Sequence, residues 1–288
     1  MSIWEALILG IVQGATEFLP VSSSGHLVLL QKIFGITEPT LLFDTAVHGG
    51  TLLAVLVILR QDIWKILCRI FQPITLFLII ATIPAVIAAL LFKNQIETTF
   101  TSGAFLGFAF LVTSALLFIS EKLYKRSRNS GGYPARLENA AADRFQDEMN
   151  WIDALSIGLL QALAIIPGIS RSGATISAAL SRRINRDFAA RFSFLLSIPV
   201  ILGALILQVV DLLKAKTASG PDLAANTFGG IGAIPLVVGI LSASIVAFFS
   251  IRLALKIVRE HSLLGFSIYT GILGILVLAD KFVGHFFF

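Results

Sequence analysis

Ile3–His26, IWEALILGIVQGATEFLPVSSSGH, returns 148 residues further on as Trp151–Ala174, WIDALSIGLLQALAIIPGISRSGA. Without a gap, Gly10 falls on Gly158, Gln13 on Gln161, Ser22 on Ser170, Ser24 on Ser172 and Gly25 on Gly173. The two copies part where residues can do chemistry. Glu17 meets Ile165, Ser23 meets Arg171 and His26 meets Ala174. Two similar elements of complementary charge predict one site built where two repeats meet, a construction common in membranes.

The surrounding chain is apolar. It is 56% hydrophobic and 14% charged, with a mean hydropathy of +0.89; a soluble domain carries about 25% charged residues. This composition predicts an all-α, polytopic membrane protein, a single membrane domain over residues 1–288. The pI near 9.6 does not point to nucleic acid, because the basic residues lie at the ends of apolar segments, where membrane topology is set. Cys68 is the only cysteine, which excludes an intrachain disulfide. Glu5 and Glu17 interrupt the first apolar run, and no basic stretch precedes it, so it is not read as a signal peptide.

Each half reads as five segments. Residues 1–120 give Ile3–Leu19, Ser24–Phe34, Phe43–Leu59, Pro73–Phe92 and Gly103–Ile119. A polar cytoplasmic linker, Glu121–Asn150, follows. Residues 151–288 give Ile152–Ile166, Ser172–Leu180, Phe192–Val210, Pro235–Leu255 and Leu263–Val283. A membrane span needs about 20 apolar residues. The first two segments of each half are too short, and Pro, Gly and Ser join them. Each pair therefore reads as a re-entrant helical hairpin, whose irregular backbone must be buried in protein or line a wet cavity.

Three full spans per half remain. Three is odd, so the second repeat is inverted relative to the first. Under this reading 16 of the 22 basic residues fall on the side where Phe43–Leu59 ends. Cations favour the cytoplasm, so that side is inside. Both termini and the mouth of the first hairpin then face outside, and the two hairpin turns meet near mid-membrane.

The second turn, Pro167–Thr175, suits an oxyanion. Pro167 and Gly168 break one half-helix, and Ser172 and Thr175 can cap the next, whose N–H groups and dipole attract anions. Ser170, Gly173 and their neighbours complete a phosphate-binding set. Arg171 adds a planar fork that matches phosphate oxygens in pairs; alternatively it pairs with Glu17 as internal glue. The first turn, Glu17–His26, supplies Ser22, Ser23 and Ser24 as hydroxyls and a helix cap. Gly25 allows close backbone approach, and His26 can carry a proton near neutral pH. Gln13 and Glu17, four apart, share a helix face and can hold a divalent cation or orient a nucleophile. Asp44 and His48 are also four apart; they either extend the site mouth or serve the start of their helix.

With these residues in place, the chain resembles the undecaprenyl-diphosphate phosphatase family, the bacitracin-resistance proteins. Gln13–His26 and Pro167–Thr175 carry the resemblance, with Phe192–Pro199 as a third stretch. The resemblance implies removal of the terminal phosphate of a C55 polyprenyl diphosphate. That reaction regenerates the monophosphate carrier for peptidoglycan synthesis and confers bacitracin resistance. It also implies a bacterial inner-membrane location, an outward-facing site and a divalent cation. Mg2+ or Ca2+ suits the oxygen ligands Glu17 and Gln13, and no cysteine or histidine cluster selects zinc. Where the family's acidic motif starts with Glu or Gln, this chain has Gln13, which makes Glu17 the more necessary.

The expected catalytic set is Glu17, Ser23, His26 and Arg171. Ser23 is the nucleophile, with His26 or Glu17 handling its proton; a water attacking directly is the alternative. The partners are a polyprenyl diphosphate and membrane lipids, not nucleic acid, with a second copy of the chain kept as a candidate. The rival reading is a secondary transporter or flippase of an anionic lipid or small anion, which shares inverted repeats and broken helices. A carrier does not need a Glu–Ser–His cluster.

Overall fold

The computed structural model describes residues 1–36, 40–92, 95–96, 98–99, 103, 105–129, 149–219 and 231–287. The first half forms α1 (Ile3–Thr16), α2 (Ser23–Ile33), α3 (Leu41–Ile58), α4 (Arg60–Cys68), α5 (Pro73–Leu91) and α6 (Leu106–Asn129). The second forms α7 (Trp151–Leu163), α8 (Arg171–Ser181), α9 (Arg186–Ser219), α10 (Ala233–Glu260) and α11 (Leu264–Ala279). Among the described residues, six helices are long and apolar enough to cross a membrane: α3, α5, α6, α9, α10 and α11. They are the six spans expected from sequence.

Helices α1 and α7 have 14 and 13 residues. At 1.5 Å per residue each reaches about 20 Å, short of a hydrocarbon core about 30 Å thick. The outward residues of the bundle are large and apolar: Leu53, Phe108, Ile245 and Ile275 are each about half exposed or more. Water would not favour such a surface, whereas lipid does.

Matched residues of the near-repeat do matched jobs at the helix starts. Ser2 caps α1 in a reciprocal pair with Glu5, and Asn150 caps α7 with Asp153. Ser22 caps α2 by accepting from the Gly25 N–H, and Ser170 caps α8 by accepting from the Gly173 N–H. The sequence expectation that Ser172 and Thr175 cap α8 is therefore corrected. The side chain at the Ncap position itself reaches the N3 amide, and that residue is Ser170.

The halves exchange their short helices. Helix α1 packs on α10 of the second half, and α7 packs on α5 of the first. Glycines make these contacts close. A Cβ on Gly10 would lie 2.5 Å from the Gly239 carbonyl, and one on Gly158 would lie 2.7 Å from the Ala81 carbonyl. Helix α3 lies against α9 and α10, α6 against α11, and α8 against α6 and α9.

Ion pairs gather at one end of the bundle. Arg186 donates to Glu121 at 2.6 Å, Arg182 to Asp153 at 2.7 Å, and Arg191 to Asp187 at 2.8 Å and Asp62 at 3.2 Å. Glu121 is buried and also accepts the Leu263 N–H at 3.2 Å. These arginines are among the residues that set the expected cytoplasmic side. Burial is tolerated because each charge meets its opposite.

Two details depart from the sequence reading. Helix α6 continues through Asn129 into the expected linker Glu121–Asn150, whose residues 130–148 lie outside the described residues. Helix α4 falls between two expected spans. Its apolar residues Trp64 and Leu67 are exposed beside Asp62 and Lys65, an amphipathic pattern too short for any span criterion and suited to the membrane interface.

Candidate active site

The first turn begins where α1 ends, with Glu17 as its last, C-capping residue. Ser22 then adopts φ 71°, a left-handed conformation unusual for a residue other than glycine. Such strain is kept only where the surroundings enforce it. Its Oγ caps α2, and its carbonyl is held by His26 Nδ1 at 2.6 Å. In the second turn Gly168 has φ 95°, and a Cβ there would lie 2.7 Å from that of Ala109. Only glycine suits that position.

Three hydrogen bonds lock the turns together. Arg171 Nη2 donates to Glu17 Oε1 at 2.7 Å, Ser172 Oγ to the Leu19 carbonyl at 2.9 Å, and the Gly168 N–H to Ser24 Oγ at 3.3 Å. Glu17 stands at the centre, 6% exposed. Its Oε2 accepts Ser23 Oγ at 2.5 Å and Gln13 Nε2 at 3.0 Å, and lies 3.4 Å from His48 Nε2.

Beside this cluster is a cavity of about 230 Å3. Glu17, Ser22, Ser23, Ser24, Thr45, Gln161, Ser170, Arg171, Asp44 and His48 form its polar lining, and Leu41, Ile165, Val200 and Ile201 part of its apolar wall. The second guanidinium nitrogen, Arg171 Nη1, is buried without a hydrogen-bond partner among the described residues. The N-termini of α2 and α8 both begin at this lining, so dipoles and a guanidinium converge where an oxyanion can sit.

The expected residues divide. Glu17, Ser23 and Arg171 come together, and Ser22, Ser24 and Ser170 line the same cavity. His26 does not join them. Its Nε2 lies 2.7 Å from the Tyr269 hydroxyl and its ring stacks on that of Tyr269, with Phe110 edge-on. The Ser22 carbonyl, one turn back, captures Nδ1 and aims the ring toward α6 and α11. Gly25, Gly173, Ser172 and Thr175 stand behind the lining. A Cβ on Gly25 would meet the Phe110 ring, and Thr175 Oγ1 bonds to Ser193 Oγ at 2.5 Å.

The imidazole that reaches Glu17 is His48, from α3. The linear motif does not contain it, and its four-residue spacing from Asp44 was its one signal. Asp44 is fixed in turn by Gln31 Nε2 at 2.7 Å and Thr40 Oγ1 at 3.0 Å. Gln31, Thr40 and Tyr269 carried no sequence signal.

For a cation the donor set is incomplete. Both Glu17 oxygens already accept hydrogen bonds, and Gln13 turns its amide nitrogen toward the carboxylate, leaving its buried Oε1 without a partner among the described residues. No group of three or more His, Cys, Asp or Glu capable of holding an ion occurs among the described residues. A hard cation held here would take its remaining oxygen ligands from water and a bound phosphate.

Fold and site together define a class: a helical membrane protein whose polar cluster stands on two interrupted hairpins inside the bundle. The chain belongs to the bacitracin resistance protein BacA family, whose pattern matches residues 6–276 and so includes both turns. It is 42% identical over 286 residues to the undecaprenyl-diphosphatase of Carboxydothermus hydrogenoformans, covering 99% of this chain and 100% of that one. Undecaprenyl-diphosphatase 4 of Bacillus cereus is 41% identical over 98% of each chain. The undecaprenyl-diphosphatase of Alkaliphilus metalliredigens is 37% identical, over 96% of this chain and 98% of that one. None of these names describes a carrier.

Proposed function

We propose that this chain is an integral-membrane undecaprenyl-diphosphatase, which releases inorganic phosphate from undecaprenyl diphosphate and returns the monophosphate carrier to peptidoglycan synthesis. One observation carries the reading: Ser23 Oγ donates at 2.5 Å to a carboxylate that Arg171 also holds. A nucleophile, its base and an anion clamp thus share one cavity in a family whose named relatives are undecaprenyl-diphosphatases. Ser23 Oγ attacks the terminal phosphorus and gives its proton to Glu17. The bond to the bridging oxygen breaks, and undecaprenyl phosphate leaves. Water then cleaves the phosphoserine. Arg171 and the N-termini of α2 and α8 neutralise the charge on the transferred group, the main demand of phosphoryl transfer. His26, on this reading, acts on the turn by holding the Ser22 carbonyl.

The divalent cation is proposed to enter with the diphosphate, taking most ligands from it and from water, with Glu17 as its protein carboxylate. The test is phosphate release by purified protein in detergent, without a gradient or second compartment. Absence of release would reject the enzyme reading. Titrated with Mg2+ or Ca2+, Glu17→Gln should show a weaker rate and a displaced cation midpoint. An unchanged midpoint with a lowered melting temperature would leave Glu17 as a partner of Arg171 alone.

The distribution of basic residues supports a cavity opening to the outer side of the bacterial inner membrane. Leu41, Asp44 and Thr45, from the expected outer end of α3, lie in its lining. Cys68 is exposed on α4 at the opposite end. In intact cells, an impermeant maleimide is expected to leave Cys68 unlabelled. The same reagent should label Ser2→Cys in a Cys68→Ala background. The reverse pattern would invert the topology.

A further inference from the structure

A second cavity, of about 540 Å3, adjoins the reactive one. Ile165, Pro167 and Ile169 line both. Beyond this shared wall it widens between α5, α6 and the end of α7, against Ala88, Phe92, Phe108, Val112, Ala162 and Ile166. No charged side chain lines it among the described residues; Gln95 and Thr99, past the end of α5, are its polar members. Phe92 and Phe108 are each about half exposed. The cavity therefore opens sideways, on the apolar flank of the bundle rather than at a charged end.

We infer that this cavity seats the first isoprene units of the polyprenyl diphosphate, which enters sideways from the lipid. The inference rests on the phosphatase reading of the reactive cavity. The register of the second turn carries it. Ser170 and Arg171 line the polar cavity, and Ile169 and Pro167, just before them, line both. A polyprenyl diphosphate changes from charged to apolar where its ester oxygen meets the first carbon. The turn makes the same change between Ser170 and Ile169. Tail and lipid are equally apolar, so the seat gains little from burial alone. It acts by shape: a chain held there fixes where the diphosphate lies against Ser23 and Arg171.

The near-repeat supplies a comparison. Leu19 and Val21 align with Pro167 and Ile169, and with Phe266 and Tyr269 of α11 they line a matching cavity of about 470 Å3. Among the described residues that cavity shares no lining with the reactive one. Tyr269 stands in its wall and meets His26 Nε2 at 2.7 Å. Of the two recesses that the repeat places alike, the one beside Pro167 is therefore the one joined to the cavity of Glu17, Ser23 and Arg171. On the proposed topology Phe92 ends α5 on the outer side, so the remainder of the tail lies in the outer leaflet.

The test has two arms. In the first, Ser23→Ala protein is irradiated with a farnesyl diphosphate analogue that carries a diazirine on its last isoprene unit. Adducts are expected on α5 between Ala88 and Phe92 and on α6 between Phe108 and Val112. Excess undecaprenyl diphosphate should suppress them, and excess phospholipid should not. Adducts confined to α3 or α9, or equal suppression by phospholipid, would overturn the seat. In the second arm, Ala88→Phe and Val112→Phe each fill the cavity from a different helix. Each is expected to lower kcat/KM for undecaprenyl diphosphate by at least about tenfold, with the melting temperature near wild type. Ile245→Phe, on the exposed side of α10, adds the same ring elsewhere and should match wild type. Undiminished kcat/KM in both folded filling variants would overturn the seat; if neither folds, the adduct map decides. Wild type that releases no phosphate would instead remove the phosphatase reading itself.

Discussion

Ser23→Ala is expected to cut phosphate release by at least about a thousandfold, roughly 4 kcal/mol of barrier, while the melting temperature stays near wild type. The methyl removes the attacking oxygen and little else, because the hydroxyl's partner Glu17 keeps Arg171 and Gln13. Ser22→Ala should show a different signature. Its Oγ caps α2, so its loss costs about 1 kcal/mol of stability and shows in the melting curve. Residual turnover above a tenth of wild type in Ser23→Ala would point instead to direct attack by water. The two variants need the same detergent and the same cation concentration, since bound ligand shifts apparent stability.

Arg171→Ala is expected to lower turnover by about a thousandfold or more, the range seen when a phosphoryl-transfer arginine is removed. Arg171→Lys is the sharper experiment. The guanidinium spends one nitrogen on Glu17 and keeps the other, Nη1, buried and without a hydrogen-bond partner among the described residues. It can hold the carboxylate and a phosphate oxygen at once. A lysine ammonium is a single point that cannot span both. The lysine variant should stay folded, since Glu17 keeps a cation, yet lose at least about tenfold in kcat/KM, roughly 1.4 kcal/mol. Near-wild-type turnover would make Arg171 a structural partner of Glu17 and nothing more.

The near-repeat made much of the architecture legible. Its spacing announced two equivalent hairpins, and length with hydropathy isolated the six spans. Local chemistry was harder to read. Three consecutive serines look alike in a string, yet Ser22 caps, Ser23 meets Glu17 and Ser24 receives the other hairpin. The difference arises from the left-handed backbone of Ser22, which no propensity announces. His26 lies three residues from Ser23 in sequence, and linear nearness suggested a shared role. Side-chain direction at the helix start turns its ring to Tyr269, and the imidazole beside Glu17 comes from α3. That juxtaposition depends on how α3 lies against its neighbours, which the sequence pattern does not encode. Helix α4 escaped because a nine-residue amphipathic stretch looks like any polar connection.

The exchanged packing of α1 on α10 and α7 on α5 also orders events during synthesis. The first hairpin is made early, yet the surface that buries Gly10 and Gly14 is part of α10, more than two hundred residues later. Until α8 supplies Arg171 and α10 supplies the packing surface, Gln13 and Glu17 lack the partners that make their depth tolerable. Contacts so distant along the chain slow folding, because a long loop closes before any gain is felt. Assembly of the reactive cluster is thus a late step of maturation, and a half-made chain carries the signature residues without a site.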